Sequence, residues 1–144
     1  AAELLVDKHV AFIKKLEQVC TVVSRVGRGL TAALQKRESS LAYHMTAHLR
    51  MNGVYWGLAA LELMGAGAQL EREALVEFVL QCWDNCTVRI QLGSLELQAG
   101  GFGSYPGHDA HILSTLSAVQ VLAMKQALPV LDEDGRRERI VQCA

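Results

Sequence analysis

The sequence predicts an all-α protein built from helical hairpins. Proline occurs only twice in 144 residues, so few positions would interrupt a helix. Apolar residues recur at three- and four-residue intervals over several segments, which is the spacing of one helix face. A short motif also recurs along the chain, as it does in arrays of helical hairpins. These three observations together favour a helical-repeat fold.

Composition limits the class of protein. Hydrophobic residues make up 51% of the chain, charged residues make up 20%, and the formal net charge is −1. This balance excludes a strongly basic nucleic-acid binder, so no nucleic-acid partner is expected. The longest uncharged helical stretch, 112–124, is shorter than the roughly 20 apolar residues that span a bilayer, so no transmembrane segment is expected. Four cysteines do not make a disulfide scaffold in a chain of this length, which favours a cytoplasmic location.

Helices are predicted over 1–18, 41–64, 71–84, 109–128 and from 136 onward. Gly65 provides a stop for the second helix, and Pro129 follows the fourth. The only strand signal is a possible short strand at 88–92.

An internal repeat supports the hairpin prediction. Glu-Phe-Val-Leu-Gln-Cys at 77–82 resembles Glu-Arg-Ile-Val-Gln-Cys at 138–143, with an offset of 61 residues. Each copy follows a charged stretch, and one loop and one helix lie between the copies. We therefore expect two related helical hairpins.

Two cysteines have a spacing that structural zinc permits. Cys82 and Cys86 are separated by three residues, and His108 and His111 are the residues that could complete such a site. No second pair follows at zinc-finger spacing, so the cysteines are interpreted as core thiols at a helix end.

His44 and His48 lie four residues apart and would share one helix face, as in a metal half-site. Because no Glu follows the first histidine, the metalloprotease motif is absent, and both are interpreted as partly exposed helix residues. No metal is expected in this chain.

The segment 100–107 is rich in glycine but lacks the Lys-Ser/Thr of a P-loop. It is interpreted as a tight loop in which Phe102 points inward and the glycines supply positive φ. On the next helix, Ser114, Thr115 and Ser117 have no base or acid that the sequence places beside them. Their hydroxyls are expected to face a cavity or to bond back to their own helix.

Tyr55 and Trp56 are adjacent aromatics on a helix that is apolar on nearly every side. Gly53 and Gly57 beside them would let a ligand or another helix come close. The pair therefore either lines a lipid cavity or belongs to an ordinary core, and the pattern alone favours core.

Three blocks carry a family resemblance: His-Leu-Arg-Met-Asn-Gly-Val-Tyr-Trp-Gly-Leu at 48–58, Gly-Gly-Phe-Gly-Ser-Tyr-Pro-Gly-His-Asp-Ala-His at 100–111, and Leu-Ser-Thr-Leu-Ser-Ala-Val-Gln-Val-Leu at 113–122. They resemble the β subunits of protein prenyltransferases, and within that family the Rab geranylgeranyltransferase (type II) subunits. The resemblance implies an α/α toroid. It also implies transfer of geranylgeranyl from geranylgeranyl diphosphate to C-terminal cysteines of Rab GTPases. A zinc ion, a prenyltransferase α subunit and an escort protein that presents Rab would take part.

The resemblance also assigns isoprenoid-binding residues. The positions of Asn52 and Leu116 help to form the floor of the lipid funnel in that family, and Tyr55 and Trp56 match an aromatic pair beside it. Farnesyl-transferring relatives place bulky aromatics at the floor, so the smaller residues here imply a longer lipid.

The same resemblance limits what this chain is expected to do. The Asp, Cys and His zinc ligands of the family and its diphosphate-binding residues lie beyond this chain, so 1–144 is expected to be an N-terminal part of the toroid domain. No catalytic residue and no bound zinc are expected, and the chain is expected to be inactive alone. Segments 19–35 and 88–99 interrupt the resemblance and are interpreted as insertions.

Two alternative functions stay open at this point. One is the β subunit of a farnesyl or type I geranylgeranyl transferase. The other is a non-catalytic helical-repeat interaction protein.

Overall fold

The computed structural model describes residues 5–20, 41–89 and 96–143. Its α-helices are α1 (Val6–Cys20), α2 (Leu41–Met45), α3 (Arg50–Leu63), α4 (Arg72–Gln81), α5 (Ile112–Met124) and α6 (Arg136–Cys143). Short 3₁₀ helices occupy Ala47–Leu49, Gly67–Gln69 and Leu128–Leu131. The strands β1 (Trp83–Arg89) and β2 (Glu96–Phe102) form an antiparallel hairpin. None of the helices described here is both long and apolar enough to cross a membrane.

One apolar core joins α3, α4, α5 and β2. Its fully buried side chains include Met51, Leu58, Phe78, Phe102, Val121 and Leu122. Burial of each large side chain stabilises the fold by about 1.5–3 kcal/mol. Helix α1 packs on this core through Val10 and Ile13, and it approaches α3 closely at Gly57. A Cβ at Gly57 would lie 3.3 Å from Ile13 Cγ2, so a glycine there permits the approach.

The single helix predicted at 41–64 is wrong in one respect, because it is interrupted between α2 and α3. Residues Ala47–Leu49 form a 3₁₀ turn, and Ala47 is buried. The amide of Met51 donates to the carbonyl of Ser104 at 3.1 Å, so this amide is engaged in a contact 53 residues away. Long-range packing therefore overrides the local helical pattern here.

The β-hairpin was not predicted. Its register runs from the pair Trp83 and Phe102 to the pair Arg89 and Glu96. The sequence favoured only a short strand at 88–92. A glycine at position 100 is required because the Trp83 ring occupies the space where a Cβ would lie. Asp84 fixes the hairpin to the next element by accepting a 2.9 Å hydrogen bond from the Ala110 amide.

The predicted role of the glycines at 100–103 is also wrong. Gly100 and Gly101 are strand residues without positive φ, and they serve close packing. In this segment positive φ occurs at Gly107, where φ is 81°. The prediction that Phe102 points inward is confirmed, since it is completely buried.

The helical hairpin occurs twice, as the sequence repeat predicts. After α3, the Ala66 amide donates to the Leu61 carbonyl at 2.8 Å, and after α5 the Ala127 amide donates to the Leu122 carbonyl at 2.8 Å. The offset of 61 residues is the offset of the sequence repeat. A 3₁₀ turn and a second helix, α4 or α6, follow in both cases. The duplicated hydrogen bonds show that the two hairpins share one backbone geometry.

Candidate functional site

Helices α3 and α5 lie side by side and run in the same direction. Near the start of α3, the Ser117 hydroxyl donates to Asn52 Oδ1 at 2.8 Å. Beyond the ends of both helices, Lys125 Nζ donates to the Gly67 carbonyl at 2.7 Å. Since the first contact precedes the second along both chain segments, the two helices form a parallel pair.

This pair carries exposed apolar side chains on the side away from the core. Their exposed fractions are 52% for Leu49, 67% for Trp56, 57% for Leu113 and 53% for Leu116. The opposite faces of both helices are buried in the common core. We call these four residues the α3/α5 surface. Leu63 of α3 and Ile112 of α5 are exposed as well. Exposed apolar patches mark a binding surface more often than an ordinary protein surface.

The two adjacent aromatics of α3 have different environments. Tyr55 is partly buried and packs on the core, whereas Trp56 is mostly exposed. Their ring centroids are 4.8 Å apart at an angle of 57°. The sequence left core and cavity lining open as alternatives for the pair, and the structure places only Trp56 on the exposed surface.

Asn52 and Leu116 are held close to this surface in different ways. Leu116 belongs to the α3/α5 surface itself. Asn52 is half-buried, and its side-chain oxygen accepts the hydrogen bond from Ser117. The structure therefore brings the four sequence-predicted site residues to one pair of helices, with two of them exposed.

The buried hydroxyls of α5 connect it to its neighbours. Thr115 Oγ1 accepts from the Phe102 amide at 2.9 Å, and Ser114 Oγ lies 2.8 Å from Ser104 Oγ. The expectation that these hydroxyls face a cavity or bond back to their own helix is wrong. Thr115 bonds to β2, Ser114 bonds to the loop before α5, and Ser117 bonds to Asn52 on α3, because these elements present polar groups that need partners in a buried region.

Arg50 is a residue that the sequence reading did not identify. It is only 3% exposed, and its guanidinium lies 4.7 Å from the centroid of the Tyr105 ring. Tyr105 in turn meets His108 edge-on, with centroids 5.8 Å apart. This contact fixes the start of α3 to the loop before α5. Arginine is so rarely buried that sequence position alone offered no signal for it.

The candidate metal ligands do not come together in the described part of the chain. His44, His48, His108 and His111 are exposed, and His111 Nδ1 accepts from the Leu113 amide at the start of α5. Cys82 is buried, and desolvation raises the pKa of its thiol to about 12. The Cys86 side chain lies outside the described residues. Among those that are described, no three His, Cys, Asp or Glu side chains could hold a metal ion together.

The parallel helices α3 and α5 are each followed by a 3₁₀ turn and a second helix, so one helical hairpin is repeated along the chain. A family model described as "Prenyltransferase alpha-alpha toroid domain" matches residues 30–144. The chain belongs to the prenyltransferase alpha-alpha toroid family. The expected fold class is therefore confirmed, with the small β-hairpin as an addition to it.

Relatives of this toroid chain include subunits of one kind of enzyme. A Saccharomyces cerevisiae protein named geranylgeranyl transferase type-2 subunit beta is 36% identical over 138 residues, covering 96% of this chain and 33% of the relative. A Candida albicans protein of the same name is 39% identical over 115 residues, covering 75% and 30%. A Dictyostelium discoideum protein named as a probable subunit of this type is 35% identical over 124 residues, covering 86% and 27%. The chain thus spans about one third of the length of these curated relatives.

Proposed function

We propose that this chain supplies part of the isoprenoid-binding surface of a type II geranylgeranyl transferase β subunit. That enzyme would transfer geranylgeranyl from its diphosphate to C-terminal cysteines of Rab GTPases. The observation that carries the proposal is the exposed apolar surface on α3 and α5. The names of the relatives support the choice of geranylgeranyl as the lipid.

In this proposal the site residues have distinct roles. Trp56 and Leu116 contact the lipid chain directly, because they are the exposed members of the predicted set. Tyr55 supports Trp56 from the core side. Asn52 would contact the far end of the lipid, as the resemblance implies. Leucine at 116 and asparagine at 52 leave more room than aromatic residues would, which favours a 20-carbon lipid over a 15-carbon one.

Zinc would belong to the whole enzyme, where it makes the acceptor cysteine a thiolate nucleophile. The described residues of this chain do not fit zinc, since no three of their His, Cys, Asp or Glu side chains could hold a metal ion together. No catalytic step is assigned to residues of this chain, and the chain alone is proposed to be inactive.

The proposed partners follow from the proposed enzyme. A β subunit implies an α subunit, and Rab presented by an escort protein would be the protein substrate. A cytoplasmic location agrees with these partners.

Lipid binding to this chain tests the proposal directly. Because Trp56 is 67% exposed, bound geranylgeraniol should shift its fluorescence emission to the blue. In equilibrium binding of radiolabelled geranylgeraniol, which does not depend on the tryptophan signal, Trp56→Ala and Leu116→Ala should each weaken binding by about tenfold, since each removes one large apolar contact worth roughly 1.5 kcal/mol.

The matched control is Val141→Ala, which truncates an equally exposed apolar residue on α6. This variant should bind geranylgeraniol as the unchanged chain does. Equal weakening in all three variants, or binding that Trp56→Ala leaves intact, would contradict the proposal.

A further inference from the structure

One hydrogen bond crosses between the two helices at the edge of the α3/α5 surface. Ser117 is 7% exposed, and its hydroxyl donates to Asn52 Oδ1 at 2.8 Å. The other buried hydroxyls of α5, on Ser114 and Thr115, bond to the loop and to β2. Ser117 therefore holds the side chain of one of the predicted site residues.

This bond fixes the orientation of the Asn52 amide. Asn52 lies in the first turn of α3, one helical turn before Trp56, and Leu116 precedes Ser117 directly on α5. While its oxygen is bound to Ser117, the amide stays against α5. Without that partner, the amide would turn to find another, and the exposed neighbours of this hydrogen bond are Trp56, one turn along α3, and Leu116, next to Ser117 on α5. A polar amide over an apolar surface disfavours an apolar ligand there, because the amide would lose its hydrogen bonds to water.

We propose that Ser117 is a positioning residue that sets the length of isoprenoid accepted by this chain. It acts by holding the Asn52 amide out of the path of the last isoprene unit. The inference rests on the proposed function, since it requires that lipid lies on the α3/α5 surface. In this proposal a 20-carbon chain would reach Asn52 and a 15-carbon chain would end before it, so only the longer lipid would depend on the bond.

The test compares binding of geranylgeraniol and farnesol to the full chain, followed by Trp56 emission. Ser117→Ala should lower the affinity for geranylgeraniol by about tenfold, the size of one well-formed hydrogen bond, and change the affinity for farnesol by less than about twofold. Ser114→Ala is the matched control, because it removes a buried hydroxyl from the same helix that bonds to Ser104 instead. It should leave the ratio of the two affinities unchanged.

The same substitution in an Asn52→Ala variant distinguishes positioning of the Asn52 amide from a general loosening of the packing between α3 and α5. In Asn52→Ala there is no amide to hold, so adding Ser117→Ala should have no further effect on the preference for geranylgeraniol. Two results would overturn the positioning role alone. In one, Ser117→Ala leaves the preference for geranylgeraniol over farnesol unchanged in the original chain. In the other, it lowers this preference equally in the original chain and in Asn52→Ala. Failure of the original chain to bind either lipid would overturn the proposed function as well.

Discussion

The turn after α3 and the turn after α5 have the same backbone geometry but different residues. Gly65 has a φ of 68° in the first turn, and Gln126 has a φ of 53° in the second. A left-handed conformation suits glycine and strains glutamine. The second turn has side-chain partners instead: Arg72 donates to the carbonyls of Lys125 at 2.9 Å and Gln126 at 3.3 Å. Tertiary hydrogen bonds can thus maintain a turn that its own sequence does not favour.

The bonding between the two turns is reciprocal. Lys125 donates back to the first turn, to the carbonyls of Gly67 at 2.7 Å and Leu70 at 3.3 Å. Its side chain is only 8% exposed, and Glu62 lies 3.7 Å from its amine. The position that matches Lys125 in the first turn is Met64, at the offset of the repeat. The two hairpins are therefore related by sequence but held together by residues that they do not share.

Among changes to the two turns, the largest expected effect comes from replacing Lys125 of the second turn with Met, the residue at the matching position of the first turn. Lys125→Met removes the donor to two carbonyls, so the free energy of unfolding should fall by about 2 kcal/mol in urea denaturation. Arg137→Met is the control, because Arg137 pairs with Asp132 at a half-exposed site and should cost at most about 0.5 kcal/mol. Equal losses in the two variants would show that the Lys125 bonds contribute no more than a surface ion pair.

Exchanging the two residues that have positive φ should change the free energy of unfolding in opposite directions in the two turns. Gly65→Gln should lower the free energy of unfolding by about 1 kcal/mol, since it places a side chain in a left-handed conformation. Gln126→Gly should raise it by about 0.5 kcal/mol, because relief of strain exceeds the added freedom of the unfolded chain. The same denaturation measurement checks both, and a change of the same sign in both turns would contradict the strain at Gln126.

The smallest expected effect is that of shortening the segment between the hairpins. We propose that 88–99 is a removable insertion. In the observed register Asn85 pairs with Gly100, so deletion of 88–99 would leave Cys86 and Thr87 as a two-residue hairpin loop. The free energy of unfolding should change by less than about 0.5 kcal/mol, because the deletion removes only the strand pairs at the distal end of the hairpin, beyond Asn85 and Gly100, and Thr87 takes the place of Ala99 next to Gly100. The shorter connection changes the closure entropy only slightly.

The shortened chain also needs a control for folding. Phe102→Ala in that background should lower the free energy of unfolding by about 3 kcal/mol, because Phe102 is completely buried. Loss of cooperative unfolding on deletion of 88–99 alone would show that this segment is part of the fold. Of the other proposed insertion, 19–35, residues 21–35 lie outside the described residues.

The sequence predicted what depends on local periodicity. The helices that became α1, α4, α5 and α6 were predicted, and α3 was predicted as the latter part of a longer helix. The hexapeptide repeat identified the two hairpins. What it missed depends on contacts between distant segments. The β-hairpin contains glycines and few β-branched residues around Trp83, so its sequence does not favour a strand. It packs against a distant helix instead: the guanidinium groups of Arg136 and Arg139 of α6 lie 5.6 Å and 5.5 Å from the Trp83 ring.

The sequence named candidate site residues but did not give the environment of each side chain. Asn52, Tyr55, Trp56 and Leu116 were named from the resemblance, and periodicity could not separate exposed Trp56 from partly buried Tyr55 on a helix that is apolar all round. The bond from Ser117 to Asn52 joins residues 65 positions apart, so it depends on how two helices pack.

Photochemical crosslinking tests the central claim most directly. A geranylgeraniol analogue with a diazirine on its last isoprene unit would be bound to the chain and irradiated, and the labelled residues would be found by mass spectrometry. We expect adducts on α3 and α5, at or beside Asn52, Trp56 and Leu116, which excess geranylgeraniol abolishes. Adducts concentrated on α6, or spread evenly over the chain and insensitive to competition, would contradict it.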